Sequence, residues 1–197
     1  MKINLLRLLV VFFVCVSLSS VAQVRLPVSN NGLRTDLQKV IDDYSKQFAH
    51  IKGDMQAQNP QTVDYASQVQ LSGSEECLIT QYSGARPIYS FQAVMLTTED
   101  FEEATKKYKW LYNQLKGMTI RLNHDYTFSL AGDYEAPDES RKFTSCIMHL
   151  LPAATNLPKL KVEVTMQFAF PEWKVNLLVY EREREDNERG KLEEDAE

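Results

Sequence analysis

The clearest periodicity in the chain lies over residues 160–170. Leu160, Val162, Val164, Met166, Phe168 and Phe170 occupy every second position, with Lys161, Glu163, Thr165 and Gln167 between them. A period of two belongs to a β-strand with one side on a core and the other near water. Pro171-Glu172 then predicts a tight hairpin connection into a further strand over 173–180. Shorter apolar runs predict strands closing at Leu71-Ser72-Gly73 and at Leu130-Ala131-Gly132, strands beginning at Cys77 and near Cys146, and one over 88–97. Ser72-Gly73-Ser74 reads as a hairpin turn.

Two stretches carry the other period. Leu33, Leu37, Val40, Ile41, Tyr44, Phe48 and Ile51 recur at helical spacing with charged residues between, which predicts an amphipathic helix over 33–50 ended by Gly53. Phe101, Ala104, Tyr108, Leu111, Tyr112 and Leu115 predict a second helix, ended by Gly117 and opened by a capping box from Thr97 and Asp100.

At an offset of 64 the two helices match in more than pattern. Asp36-Leu37 meets Asp100-Phe101, Tyr44 meets Tyr108, and Ile51-Lys52-Gly53 meets Leu115-Lys116-Gly117. Cys77-Leu78-Ile79 finds a counterpart in Cys146-Ile147-Met148 once gaps are allowed. The expectation is an α+β domain over 32–181: two α-β-β-β repeats (32–97 and 98–170) plus the strand 173–180. These form one twisted antiparallel sheet with both helices on one face.

Several strands depart from strict alternation. Phe143 and Ile147 oppose Cys146 and Met148; Val94 and Leu96 oppose Phe91 and Met95; Leu178 and Tyr180 oppose Val175, Leu177 and Val179. The second face of the sheet is therefore expected to carry apolar residues. Two explanations stand: cover by segment 53–64, loop 132–141 or the N-terminal arm, or a surface for a ligand, a partner or a second copy of the chain. The candidate contact residues are Val94, Leu96, Phe143, Ile147, Leu178 and Tyr180. Trp110 joins them because it lies off the apolar stripe of its helix; packing under a loop is its plainer role.

The ends of the chain change the setting. Lys2 and Arg7 precede an apolar run too short to span a bilayer, and Ser20-Val21-Ala22 places small residues where a signal peptidase requires them. Residues 1–22 read as a cleavable signal peptide and 23–31 as a short arm. The expected address is the periplasm or the exterior of a bacterial cell, with no membrane span after cleavage. No asparagine starts a glycosylation sequon, which fits that source. From Glu181 onward, nine acidic residues face four basic ones with Leu192 the sole large apolar side chain, so 182–197 reads as a solvated acidic tail. Signal and tail aside, residues 23–180 are within two charges of neutral, and the body lacks the basic field that nucleic acid requires.

Cys77 and Cys146 remain after cleavage. Export leaves two readings open, one disulfide contributing roughly 4 kcal/mol by chain entropy, or two separately buried thiols.

The pattern offers little chemistry. His50, His124 and His149 are far apart, no cysteine has a ligand-spaced neighbour, and no metal or cofactor is expected. There is no nucleophile elbow and no phosphate loop. The paired carboxylates Asp42-Asp43 and Glu102-Glu103 sit on solvated helix faces, and Glu75-Glu76 at a strand entry. The sequence therefore predicts an exported, non-enzymatic binding protein that holds a protein partner or an apolar small molecule at the sheet. Two alternatives are a hydrolase-type site built from His124, Asp125, Glu135 and Asp138, and a structural component of an envelope assembly.

Overall fold

A computed structural model describes residues 30–84, 87–122, 126–152 and 160–181. The signal segment 1–22, residues 23–29 of the arm, His124-Asp125 and the tail 182–197 lie outside the described residues. In chain order the elements are α1 (Asn30–Tyr44), β1 (Lys52–Gln58), β2 (Thr62–Ser67), β3 (Glu76–Tyr82), β4 (Ile88–Thr98) and α2 (Phe101–Leu115). They are followed by β5 (Thr119–Leu122), β6 (Tyr126–Ala131), β7 (Phe143–Leu151), β8 (Leu160–Ala169) and β9 (Glu172–Glu181). The nine strands of the described residues form one sheet in the order β1-β2-β3-β4-β9-β8-β7-β6-β5, and every neighbouring pair is antiparallel.

The α+β class is as expected, but α1 is followed by four strands and α2 by five, one more in each half than expected. Residues 52–58 form the edge strand β1, so the segment 53–64 extends the sheet instead of covering it. β1 lies in water over most of its length, with Met55 59 % exposed, and a strand solvated on both faces needs no apolar alternation to declare it.

Helix α1 begins at Asn30, within the expected arm, and stops at Tyr44 rather than His50. The buried Asp43 carboxylate stops it, accepting the backbone N–H groups of His50 at 2.8 Å and Ile51 at 3.3 Å. The intervening turn puts Gln47 and Phe48 at positive φ. Phe48 still reaches the core and packs on Tyr44 and Phe91, so the apolar spacing outlasts the helix. Helix α2 is capped by Asp100, whose carboxylate accepts the N–H groups of Glu102 and Glu103; Thr97 is a residue of β4 and takes no part. Gly117, at φ 74°, supplies the left-handed turn after α2.

One row of side chains runs across the middle of the sheet. Cys77 pairs with Ala93, Ala93 with Leu177, Leu177 with Val164 and Val164 with Cys146. All five are buried and face the helices. α2 reaches this face through Tyr108 against Cys146, Thr105 against Met166 and Phe101 against Trp173. α1 and its following turn reach it through Phe48 against Phe91. Both helices therefore cover the same face.

The register of β4 corrects one expected orientation. Val94 pairs with Asn176, yet Leu96 pairs with Val175, so a bulge absorbs Met95 and turns Leu96 to the helix side. Leu96 is 6 % exposed within the core cluster and is not a surface residue.

The same row keeps the cysteines apart. Four strand spacings separate Cys77 from Cys146, roughly 19 Å at about 4.8 Å per spacing. A disulfide requires Cα atoms about 5.5 Å apart, and both cysteines are free thiols.

The sheet's edges differ. At β5 the Gln38 side chain of α1 accepts the N–H of Arg121 and donates to its carbonyl, each at 2.9 Å, while Arg34 donates to the Thr119 carbonyl at 3.2 Å. At the opposite edge β1 has one strand neighbour, with two register shifts along it.

Candidate functional site

With both helices on one side, the other face of the central strands is free of helix among the described residues. It carries two adjoining rows. The first runs Leu78, Gln92, Leu178, Glu163, Ile147; the second runs Glu76, Val94, Asn176, Thr165, Ser145. Apolar and polar side chains alternate along the first row, while the second is polar except for Val94.

Three of the polar members are the most deeply set. Glu163, Thr165 and Asn176 are 8 %, 7 % and 7 % exposed. The Asn176 amide donates to the Thr165 hydroxyl at 3.4 Å, a long bond, while its Oδ1 is buried without a hydrogen-bond partner among the described residues. The Tyr180 hydroxyl donates to Glu163 Oε2 at 2.8 Å. Leaving a buried carbonyl oxygen unpaired costs about 1–3 kcal/mol, so the middle of this face has an acceptor in need of a donor. On the same face Val94, Leu178, Ile147 and Leu78 are half-buried, and Phe143 is 51 % exposed.

Of the expected contact residues, Val94, Phe143, Ile147, Leu178 and Tyr180 all belong to this face. Leu96 is in the core, as described above. Trp110 lies on α2, on the helix side, half-buried against the core with the Lys107 ammonium 5.0 Å from its ring centroid. That ammonium also reaches the carbonyl of Gly73 in the β2–β3 turn, so Trp110 sits beside a loop. Of the covers considered for the second face, segment 53–64 is sheet, and loop 132–141 packs on α2 through Tyr134 against Tyr108 and Tyr112. The arm is the third and falls largely outside the described residues.

Asn176, Thr165 and Glu163 were not singled out by sequence pattern. The available signal was Asn176 itself, a single amide inside the apolar run of β9.

Of the residues considered for a hydrolytic site, Glu135 and Asp138 are engaged in holding their loop. Asp138 accepts both the backbone N–H and the hydroxyl of Ser140, which hold its pKa below the usual range, and Glu135 pairs with Arg141. His124 and Asp125 lie outside the described residues. Among the described residues no cluster of three or more metal-ligating side chains occurs, and no helix is long and apolar enough to cross a membrane.

The buried titratable groups of the core have the environment of packing residues. Burial pushes the Cys77 thiol up, against the hydrogen bonds from Ser74 and the Leu71 N–H that pull the other way. Burial likewise raises Tyr108, whose hydroxyl is 2.8 Å from Cys146 Sγ, and Tyr44, which also faces the Glu181 carboxylate. A thiol held protonated is a poor nucleophile at neutral pH.

Comparison of the chain with protein-family models, with characterised proteins and with solved structures finds no match.

Proposed function

We propose that the protein is an exported binding protein that uses the helix-free face of its central strands to hold a partner. The observation that carries this reading is the composition of that face. Asn176, whose buried Oδ1 lacks a partner among the described residues, sits beside half-buried Val94 and Leu178, with half-buried Ile147 and exposed Phe143 on the same face two strands away on β7. An occupant that is apolar and brings a hydrogen-bond donor would satisfy both features: a segment of a protein partner, a second copy of the chain, or an amphipathic small molecule. Export rests on the sequence of residues 1–22. The reading predicts that Leu178→Asp or Phe143→Asp removes bound partner from protein purified from its own host while leaving the fold intact. Retention of the partner by both variants would move the site elsewhere.

We infer that the internal likeness is one of element order. The helices have 15 residues each and start 71 residues apart, β2 and β6 lie at the offset of 64 at which the helix sequences match, and the cysteines lie on the corresponding strands β3 and β7. β4 and β8 both run antiparallel to β9, and hence parallel to each other, with the two meanders spreading outward from it. A rotation that exchanges two such meanders also exchanges the faces of the sheet. Because both helices lie on one face, the halves correspond in order along the chain without forming superposable units.

A further inference from the structure

We propose that the cleft between α1 and the β5–β6 edge is a binding site for a phosphate-type oxyanion. The cleft has a volume of about 430 Å3. Three of its lining residues are cationic, Arg34 and Lys39 from α1 and Arg121 from β5, and none is acidic. Hydroxyls from Thr35, Thr119 and Thr127 complete most of the lining.

The charges are only partly balanced. Lys39 pairs with Asp36 at 3.0 Å. Arg34 uses one nitrogen on the Thr119 carbonyl, and neither Arg34 nor Arg121 has a carboxylate within ion-pair distance among the described residues. Gln38 is fully occupied: its amide bonds the backbone of Arg121 on both sides and also donates to Asp42 at 2.7 Å. It therefore holds Arg121 in place as a wall of the cleft. The result is two guanidinium forks carried by separate, mutually anchored elements beside hydroxyl donors.

Guanidinium forks match oxyanions that can accept several hydrogen bonds at once, and a phosphate group offers more acceptor oxygens and charge than a single carboxylate. The cleft accommodates a free phosphate or the head of a small phosphate ester. A polynucleotide is disfavoured by the near-neutral body around it. This site is distinct from the helix-free face, so the failure of either proposal leaves the other standing.

The test is an amide-resolved NMR titration of the full mature chain with inorganic phosphate, and in a second arm with phenyl phosphate, each against sodium chloride at matched ionic strength. The expected result is saturable shifts at residues 34–39, 119–121 and 127 in at least one phosphate arm, with chloride giving only weak, non-saturating changes. The arm that binds more tightly identifies the free or esterified ion as the better ligand. Arg121→Ala, which leaves the Gln38 pairing to the backbone intact, is expected to weaken binding at least tenfold with the remaining spectrum unchanged. Arg34→Ala gives an independent second reading of the same loss. Absence of saturation in both arms would overturn the proposal, as would binding that neither substitution weakens.

Discussion

The Gln38 side chain pairs with Arg121 as a neighbouring strand would, accepting its N–H and donating to its carbonyl, each at 2.9 Å. A helix side chain thereby finishes the sheet at β5, where an unpaired edge would otherwise be a template for association. Gln38→Ala is expected to lower stability by about 1–2 kcal/mol, the net worth of two hydrogen bonds. It should also make the protein self-associate with rising concentration. Urea unfolding and light scattering measure the two effects separately.

Leu177 and Leu178 are adjacent on β9 and face opposite ways. Leu177 is fully buried at the centre of the row joining the two cysteines, whereas Leu178 is half-buried beside Gln92 and Glu163. Leu177→Ala should destabilise the fold by about 2–5 kcal/mol through the cavity it leaves. Leu178→Ala should change stability by about 1 kcal/mol or less. Equal losses in urea unfolding would mean that the second face is as tightly packed as the first.

The thiols supply a third prediction. With Cys77 and Cys146 buried and four strands apart, a thiol reagent should leave the native protein unlabelled over minutes. In denaturant without reductant it should modify both. A chain that retains its first 22 residues would yield a third thiol, from Cys15. The labelled mass therefore reports signal cleavage and the absence of a bridge together.

Asp36 joins α1 to the β2–β3 turn, accepting the backbone N–H of Ser72 at 3.1 Å and its hydroxyl at 2.6 Å. Burial alone would raise its pKa, but the hydrogen bonds from Ser72 and Lys39 and the Lys39 charge together outweigh that and hold it below the ordinary value of 3.8. The folded carboxyl therefore takes its proton at lower pH than the unfolded one. Its contribution is complete above about pH 4 and is lost as pH falls from there through the folded pKa. Asp36→Asn should lower stability at neutral pH and flatten this part of the acid limb. An acid limb identical to that of the parent would remove Asp36 from the account.

Much of the fold was legible where one side of an element meets a core. The alternation in β8 correctly assigned Leu160, Val162, Val164 and Met166 to the buried side, and the apolar spacing in α2 spans Phe101 to Leu115 as observed, although its cap is Asp100 and not the expected Thr97 box. What escaped was set by contacts that leave no period. β1 is solvated on both faces, the end of α1 depends on where the Asp43 carboxylate finds N–H groups, and the bulge at Met95 adds a residue to an apolar run that looks unchanged. The candidate face was legible in its apolar members. Its polar centre was not, because the partnering of Asn176, Thr165 and Glu163 depends on the registers of β8 and β9.

The most direct test of the binding role is native mass spectrometry with light scattering on protein purified from its own host, beside Leu178→Asp and Phe143→Asp. The account predicts that the parent carries added mass, from a ligand, a partner or a second copy. It also predicts that both substitutions release that mass while the circular dichroism spectrum stays unchanged. A parent protein that is monomeric and free of any bound species would contradict it.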